Sequence, residues 1–333
     1  MDRAGPFPRS PLGPSARLDL CVVGNLTIDV ILRGIEELPR WGQEVLGTSR
    51  TDTVAGQAGG LAFAARAVGI ATEVVADVGE DEAGERIRRE LGAAGVGVAT
   101  VTTVPGGVTP MTVALVRPDG ERAFVSDLGQ LRDGTAGPWA PDWRSASGVR
   151  VVALVGTCNL PGFDMGAAAR HLAEARRAGS LTVFDPGWDP SGWSHEVVQG
   201  IKAVLAEIDV FLPNLDEARA LVGESSVSSI LRALRDVCPG VVVVKDGSEG
   251  SYVIDGDRIV AVEALAAEVD NAVGAGDVYD AAVVAGFLRG RDVLGAMTLG
   301  TAAASLYVAR RTDRYPTYEH CADVATGVIV RSL

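Results

Sequence analysis

The stretch VDNAVGAGDVYDAAVVAGFLRG, at residues 269–290, decides the fold and the site that we expect of this chain. Gly274, Ala275 and Gly276 come directly before an alanine-rich region, 277–310, that reads as two helical segments. Small residues let backbone N–H groups approach a ligand closely, and the dipole of the following helix favours negative charge. We therefore predict an anion-binding turn at the start of the first helix.

Asp277 stands at the start of that helix, and its carboxylate has two interpretations. As an N-cap residue it would accept hydrogen bonds from free backbone N–H groups of the first turn. As a general base it would accept a proton from a hydroxyl group beside the anion-binding turn. The pattern alone favours the cap and leaves the base open.

Outward from this stretch, short apolar runs alternate with amphipathic segments. Near-continuous runs of Val, Leu and Ile suit strands that are buried on both faces. The alternation predicts an α/β protein with three α/β/α layers and a mostly parallel central sheet. The predicted strands are 18–24, 72–79, 149–156, 181–186, 209–214 and 241–247, and the predicted helices are 61–69, 82–95, 164–178, 215–222 and 227–237.

Two stretches break this alternation, one around 43–54 and one around 110–126. The second contains two alternating segments around a Pro-Asp-Gly turn, which is a hairpin signal. We predict a small β-sheet lid from about 38–54 and 106–127, and an edge hairpin of the main sheet is the alternative. Residues 1–17 are rich in Pro, Gly and Arg without an apolar core, so we predict a flexible tail rather than a signal peptide, followed by one domain at 18–333.

Composition narrows the classes of partner. The chain has 333 residues, of which 47% are hydrophobic, and its net charge is −13. The length allows a large core, and the acidic balance argues against nucleic acid and membrane surfaces as main partners. No apolar run reaches the roughly 18 residues of a membrane span. Four scattered cysteines without a CxxC pair favour reduced thiols and a cytoplasmic location.

Seven short motifs follow one another along the chain: GNLTID (24–29), AGQAGGLAFAARAVG (55–69), DVGEDEAG (77–84), FDPGWDPSGW (184–193), NLDE (214–217), VVVVKDGSEG (241–250) and GAGD (274–277). Together they resemble the ribokinase-like (PfkB) carbohydrate kinase family. They occur in the family's order over roughly residues 18–310, and this shared order is more specific than any single motif. The resemblance implies a ribokinase-like fold and an ATP-dependent kinase.

The resemblance also implies roles for individual residues. Asp277 would deprotonate the acceptor hydroxyl, and the N–H groups of Gly274, Ala275 and Gly276 would stabilise the γ-phosphoryl group. The residues implied to bind the acceptor are Thr27, Asp29, Gly56, Gln57 and Gly60. The residues implied to lie along the nucleotide are Asn214, Lys245, Gly247 and Gly250. Glu217 would act on Mg²⁺ through water.

Several polar residues in this set also have a structural interpretation. Asn214 and Glu217 fit a helix cap followed by an exposed first-turn carboxylate. Lys245 fits a solvated charge at a strand end, and Asp29 fits an Asx-turn. Asp185, which begins a Pro-Gly turn, is predicted to be structural, and a position lining the nucleotide side is the alternative.

The chain departs from the family's pattern at the acceptor side and before the GAGD turn. The family usually has Asn at the position of Gly60, where it contacts a sugar hydroxyl, and glycine cannot make that contact. Thr27 stands where ribokinase-type enzymes often have Asn. The family's Asp-Thr-Thr is here Asn271-Ala272-Val273, with Asp270 one place earlier. In several members that run helps form a monovalent-cation site, so K⁺ activation is in doubt.

We therefore predict an ATP- and Mg²⁺-dependent kinase that phosphorylates a hydroxyl of a sugar, a sugar derivative or a nucleoside. The alternative is a non-catalytic relative that binds a metabolite. A Rossmann-type dehydrogenase does not fit, because the first strand leads into GNLTID and not into GxGxxG. In related kinases the lid often mediates dimers, so a homodimer through the lid is open.

Overall fold

A computed structural model describes residues 18–132, 148–265, 272–309 and 315–333. The predicted flexible tail, 1–17, lies outside the described residues, and so do Asp270 and Asn271. No helix in the described ranges has the length and apolar character needed to cross a membrane.

A ten-stranded sheet runs through the described part of the chain, and seven neighbouring strands of it are parallel. This confirms the mostly parallel sheet, which three antiparallel strands extend at one edge. In spatial order the strands are β14 (Val330–Ser332), β13 (Arg258–Val262), β12 (Ser251–Asp255), β11 (Val241–Lys245), β10 (Val210–Phe211), β9 (Leu181–Asp185), β8 (Val151–Val155), β1 (Leu20–Val23), β4 (Thr72–Gly79) and β5 (Val101–Val104).

Helices cover both faces of the sheet, as predicted. Alternate residues of β1 divide between the two cores: Leu20 and Val22 belong to one apolar cluster, and Cys21 and Val23 to the other. The first face carries α1 (Gln57–Ala67), α2 (Glu82–Ala93), α7 (Ala275–Leu288), α8 (Val293–Val308) and α9 (Tyr318–Ala325), and the second carries α3 (Met165–Arg177), α4 (His195–Leu205), α5 (Leu215–Val222) and α6 (Val227–Val237).

A separate four-stranded sheet lies beside this core in the described structure. Its order is β3 (Ser49–Ala55), β2 (Thr27–Arg33), β6 (Met111–Val116) and β7 (Arg122–Asp127). The predicted bounds of the small sheet need a correction. Residues 38–48 contain no strand in the structure, and the small sheet includes β2, which the prediction left out. Only three residues separate β1 from β2, so the alternating TIDVILR pattern is hard to distinguish from a turn after the first strand.

The parallel strands all have their carboxyl ends on the same side of the main sheet, which is where open α/β proteins bind ligands. β8, β9 and β11 end on this side, and β1 leads from it through residues 24–26 into β2 of the small sheet. Helix α1 begins at Gln57, four residues earlier than predicted, so the glycine motif forms its first turn. The candidate site residues lie at the junction of these elements.

Candidate active site

The turn before α7 has the geometry of an anion-binding site. Gly274 adopts the left-handed region with φ 82° and forms the N-cap of α7 without a side-chain cap. The hydroxyl of Tyr307, on α8, donates a hydrogen bond to the carbonyl oxygen of Val273 at 2.9 Å and so supports the turn. The N–H of Ala275 donates to the carbonyl oxygen of Ala272 at 3.3 Å, and no side chain caps the next N–H groups of this 14-residue helix, which can therefore face a ligand. The sequence interpretation missed Tyr307.

The cap interpretation of Asp277 is wrong. Helix α7 begins at Ala275, so Asp277 is its third residue, and no side chain caps the helix. Its carboxylate faces α1: a Cβ atom added to Gly60 would collide with Oδ2 and lie 2.9 Å from Cγ. Burial first, and then the charge of Asp185, raise the pKa of Asp277 well above its usual range. Once ionised, such a carboxylate is a stronger proton acceptor than an ordinary aspartate.

Asp29 is a second carboxylate close to Asp277. It lies within β2 and not in an Asx-turn, and it is buried. The hydroxyl of Thr27 donates a hydrogen bond to Asp29 Oδ1 at 2.8 Å. Burial raises the pKa of Asp29 to about 6, and the Thr27 hydrogen bond opposes part of this shift. The charge of Asp29 contributes to the raised pKa of Asp277, so the two carboxylates belong to one electrostatic environment.

Gly56 and Gln57 form the start of α1 beside these carboxylates. Gly56 has φ 79°, and a Cβ atom there would lie 2.9 Å from the Cα of Leu26, so a close backbone approach requires glycine. The backbone N–H of Gln57 donates to Asn25 Oδ1 at 3.3 Å. The amide oxygen of Gln57 is buried against Gly187 and has no hydrogen-bond partner in the described part of the chain. Asn25 and Gly187 were not predicted, although both lie in motifs that the sequence indicated.

Asn214 and Glu217 form a capping box at the start of α5. The N–H of Glu217 donates to Asn214 Oδ1, and the N–H of Asn214 donates to Glu217 Oε2, both at 2.9 Å. The cap is therefore present, but Glu217 is only 4% exposed and is not the solvated carboxylate of the structural interpretation. Burial, and then the charge of Asp185, raise its pKa to about 8.

The donor set of Glu217 fits an ion held through water. Mg²⁺ prefers oxygen ligands, keeps several waters, and is commonly held by one or two carboxylates together with phosphates. No group of three His, Cys, Asp or Glu residues forms a metal cage in the described ranges. Burial and the charge of Asp185 disfavour the ionised form of Glu217, so a cation bound nearby through water would stabilise it.

Lys245 is buried and therefore is not the solvated strand-end charge of the structural interpretation, while its contact with a nucleotide stays a prediction. Its ammonium group is buried, 2.8 Å from Asp185 Oδ2 and 3.0 Å from Asp280 Oδ1. Although burial opposes it, the charges of Asp185 and Asp280 raise the pKa of Lys245, which stays protonated. Its Nζ lies 3.6 Å from the place of a Cβ atom on Gly276, directly behind the anion-binding turn.

Asp185 and Asp280 are the partners that hold this lysine. Asp185 ends β9 and also accepts a hydrogen bond from the N–H of Gly187 at 3.1 Å, so it supports the turn that it begins. Asp280 lies on α7, one turn after Asp277, and is 2% exposed. The sequence interpretation missed Asp280 because it lies within an apolar helical run.

Gly247 and Gly250 shape the turn between β11 and β12. Gly247 has φ 51° and Gly250 has φ 104°, both in the region that favours glycine. A Cβ atom on Gly250 would lie 2.7 Å from the backbone nitrogen of Ala264. These contacts explain the two glycines by conformation, and their contact with a nucleotide stays a prediction.

Comparison with known proteins identifies the family. The profile of the pfkB family carbohydrate kinases matches residues 17–320. The nucleoside kinase of Methanothermobacter thermautotrophicus is 27% identical over 290 residues, which cover 87% of this chain and 89% of that protein. The chain therefore belongs to the pfkB family of carbohydrate kinases, and it is a phosphotransferase.

Solved structures share the fold. The structure of Arabidopsis thaliana ribokinase complexed with ribose and ATP matches with a TM-score of 0.74 and 24% identity, over 92% of this chain and 98% of that one. An Escherichia coli structure in complex with ATP and Mg²⁺ matches with a TM-score of 0.77 and 19% identity, over 93% and 99% of the two chains. Both likenesses confirm the predicted ribokinase-like fold.

We expect Lys245→Met to destabilise the protein by about 3–5 kcal/mol, because it leaves Asp185 and Asp280 buried without their cation. Urea unfolding monitored by circular dichroism measures the change. Lys202→Met is the matched control, since Lys202 on α4 is the only other lysine of the chain. Equal stability of the two variants would contradict the expectation.

We expect Asp29→Asn to stabilise the protein at pH 7 by about 2–3 kcal/mol. The folded state binds a proton on Asp29 up to about pH 6, whereas an unfolded aspartate loses it near pH 4. Ionising Asp29 therefore costs stability as the pH rises from about 4 to 6, and asparagine avoids this cost. Urea unfolding at pH 7 and below pH 4 should show the gain only at pH 7, while the exposed control Asp119→Asn should show none. A gain of equal size at both pH values would refute the assignment.

Proposed function

We propose that this chain is an ATP-dependent kinase that transfers the γ-phosphoryl group to a hydroxyl of a sugar, a sugar derivative or a nucleoside. The observation that carries the proposal is the position of the Asp277 carboxylate beside the turn of Gly274–Gly276 and close to Asp29. A base next to backbone donors suits a reaction in which a hydroxyl loses a proton as a phosphoryl group arrives. The similar proteins named nucleoside kinase and ribokinase support this class of acceptor.

The proposed reaction is an in-line transfer. The acceptor oxygen forms a bond to the γ-phosphorus, the bond between that phosphorus and the bridging oxygen of ADP breaks, and the hydroxyl proton passes to Asp277. The N–H groups of Gly274, Ala275 and Gly276 stabilise the charge on the phosphoryl oxygens. Thr27, Asp29, Gly56, Gln57 and Gly60 surround the acceptor in this proposal.

Glu217 and Asn214 hold the waters of a Mg²⁺ ion in this proposal. Bound Mg²⁺ neutralises part of the phosphate charge and holds the phosphates in place. The buried, electronegative surroundings of Glu217 support this role, since they favour a cation. The turn with Gly247 and Gly250 follows β11 and borders the nucleotide.

The small sheet acts as a lid in this proposal. It carries Thr27 and Asp29 on β2, so a movement of the sheet toward α7 encloses the acceptor. Closure excludes water, which competes with the acceptor for the γ-phosphoryl group. We also propose a cytoplasmic location, which four unpaired cysteines favour.

We further propose a homodimer through the small sheet. Phe124 and Val125 point to opposite faces of β7, and both are exposed, by 51% and 64%. β7 is also an edge strand, which can pair with another strand. Trp41 and Leu46 add exposed apolar surface in the segment before β3. Exposed apolar side chains at the small sheet favour an interaction surface there.

We expect Phe124→Glu to shift the protein from dimer to monomer, because a charge at a subunit interface opposes burial. Sedimentation velocity measures the mass in solution. Ile329→Glu is the control, since Ile329 is similarly exposed but lies before β14, in the other sheet. A wild-type protein that is monomeric at micromolar concentration would refute the dimer.

We expect Asp277→Asn to lower the rate of phosphoryl transfer by about 10²–10⁴-fold, because asparagine cannot accept the hydroxyl proton. The measurement is ADP release across a panel of sugars, polyols and nucleosides, with MgATP and with ATP plus EDTA. Asp236→Asn, at an exposed carboxylate on α6, is the control.

Three results of this assay decide the proposal. Loss of activity in Asp277→Asn with an unchanged melting curve supports the base. Unchanged transfer in that variant contradicts it. A wild-type chain that binds a panel member but turns over none would favour the non-catalytic metabolite-binding relative.

A further inference from the structure

We propose that Gly60 is a positioning residue for Asp277: the missing side chain at Gly60 leaves the space in which the Asp277 carboxylate rests. The inference deepens the proposed function and rests on the role of Asp277 as the base. In this view, the glycine that replaces the family's asparagine at position 60 places the base, and its effect is not limited to the loss of an acceptor contact.

The geometry of the contact is specific. Gly60 is the fourth residue of α1, a helix that packs against α7. The three atoms closest to an added Cβ atom on Gly60 are Oδ2, Cγ and Cβ of Asp277, the last two at 2.9 and 3.0 Å. All three belong to one side chain, so a larger residue at position 60 displaces the Asp277 side chain before it meets anything else.

Packing alone holds this carboxylate in the described structure. No described residue forms a hydrogen bond or an ion pair with the Asp277 carboxylate. The carboxylate also lies near Gly274, where an added Cβ atom would be 3.8 Å from Oδ2. The carboxylate of the base therefore lies between two glycines, with little space on the side of Gly60 and more space on the side of Gly274.

Displacement of the carboxylate changes the reaction, because nothing restores its position. A carboxylate pushed from Gly60 moves toward the anion-binding turn or out into the cleft. Misplacing a catalytic group by about 1 Å can cost about 100-fold in rate. The helix itself does not need this glycine, because Gly60 does not have the positive φ that favours glycine, and alanine is the better helix former.

The test compares Gly60→Ala with Gly59→Ala. Both changes add one methyl group to the first turn of α1, but a Cβ atom on Gly59 would make ordinary contacts, 3.4 Å from Leu26 Cδ2 and 3.9 Å from Val54 Cγ1. With the acceptor found in the panel, we expect Gly60→Ala to lower kcat by about 100-fold while KM for ATP stays unchanged. We expect Gly59→Ala to keep the activity of the wild type.

Two further readouts separate positioning from a structural role. The acid limb of the kcat–pH profile of Gly60→Ala should move to lower pH, since burial raises the pKa of Asp277 and a displaced carboxylate is less buried. Its melting temperature should equal or exceed that of the wild type. Gly60→Asn restores the residue that is usual in the family, and we expect it to lower kcat as well. If Gly60 only removed a contact with the acceptor, this variant would instead lower KM for the acceptor and leave kcat unchanged.

The outcomes distinguish this inference from the proposed function. Wild-type kcat and an unshifted pH profile in Gly60→Ala, with an inactive Asp277→Asn, overturn the inference and leave the function intact. Full activity in Asp277→Asn overturns the proposed base, whatever Gly60→Ala does. Equal losses in Gly59→Ala and Gly60→Ala, or a lower melting temperature of Gly60→Ala, show that α1 itself was disturbed and also overturn the inference.

Discussion

The buried ammonium group of Lys245 connects three elements on which the candidate site depends. It lies at the end of β11 and binds Asp185, at the end of β9, and Asp280, in the second turn of α7. Residues three apart on a helix lie on neighbouring parts of its surface, so fixing Asp280 also fixes the direction in which Asp277 projects. The position of the anion-binding turn relative to the sheet follows from this bridge, and the hydroxyl of Tyr307 secures the turn from the other side.

The same bridge explains the charge balance of the cleft. Asp29, Asp185, Glu217, Asp277 and Asp280 are acidic groups of one region, and Lys245 is the ammonium group among them. Burial acts to raise the pKa of each of these carboxyl groups. For Asp185, the charge of Lys245 and hydrogen bonds from Asp280, Lys245 and Gly187 together outweigh burial, so its pKa is lowered overall. The acidic groups of this cleft outnumber its ammonium group, so its net charge is negative. A divalent cation bound to the phosphates of a ligand would offset this negative charge and favour binding of the ligand.

The sequence predicted the layers of the fold because its local signals agreed with the final structure. Apolar runs gave the parallel strands, and the order of the motifs gave the family. Contacts between distant segments could not be predicted in this way. Asp280 reads as one polar residue in an apolar helix, and only the packing of α7 on the sheet makes it the partner of Lys245. The contact between Gly60 and Asp277 likewise joins residues 217 positions apart, and the sequence showed only that an expected asparagine was replaced.

The central claim is that Asp277 and the turn before α7 face the same reacting phosphoryl group. A crystal structure with Mg²⁺, ADP, aluminium fluoride as a mimic of the transferring group, and the acceptor tests it directly. The account predicts fluorine atoms within hydrogen-bond distance of the backbone nitrogens of Gly274–Gly276, and the acceptor oxygen beside the Asp277 carboxylate. Aluminium fluoride bound away from this turn, or an acceptor with no hydroxyl near Asp277, would contradict it.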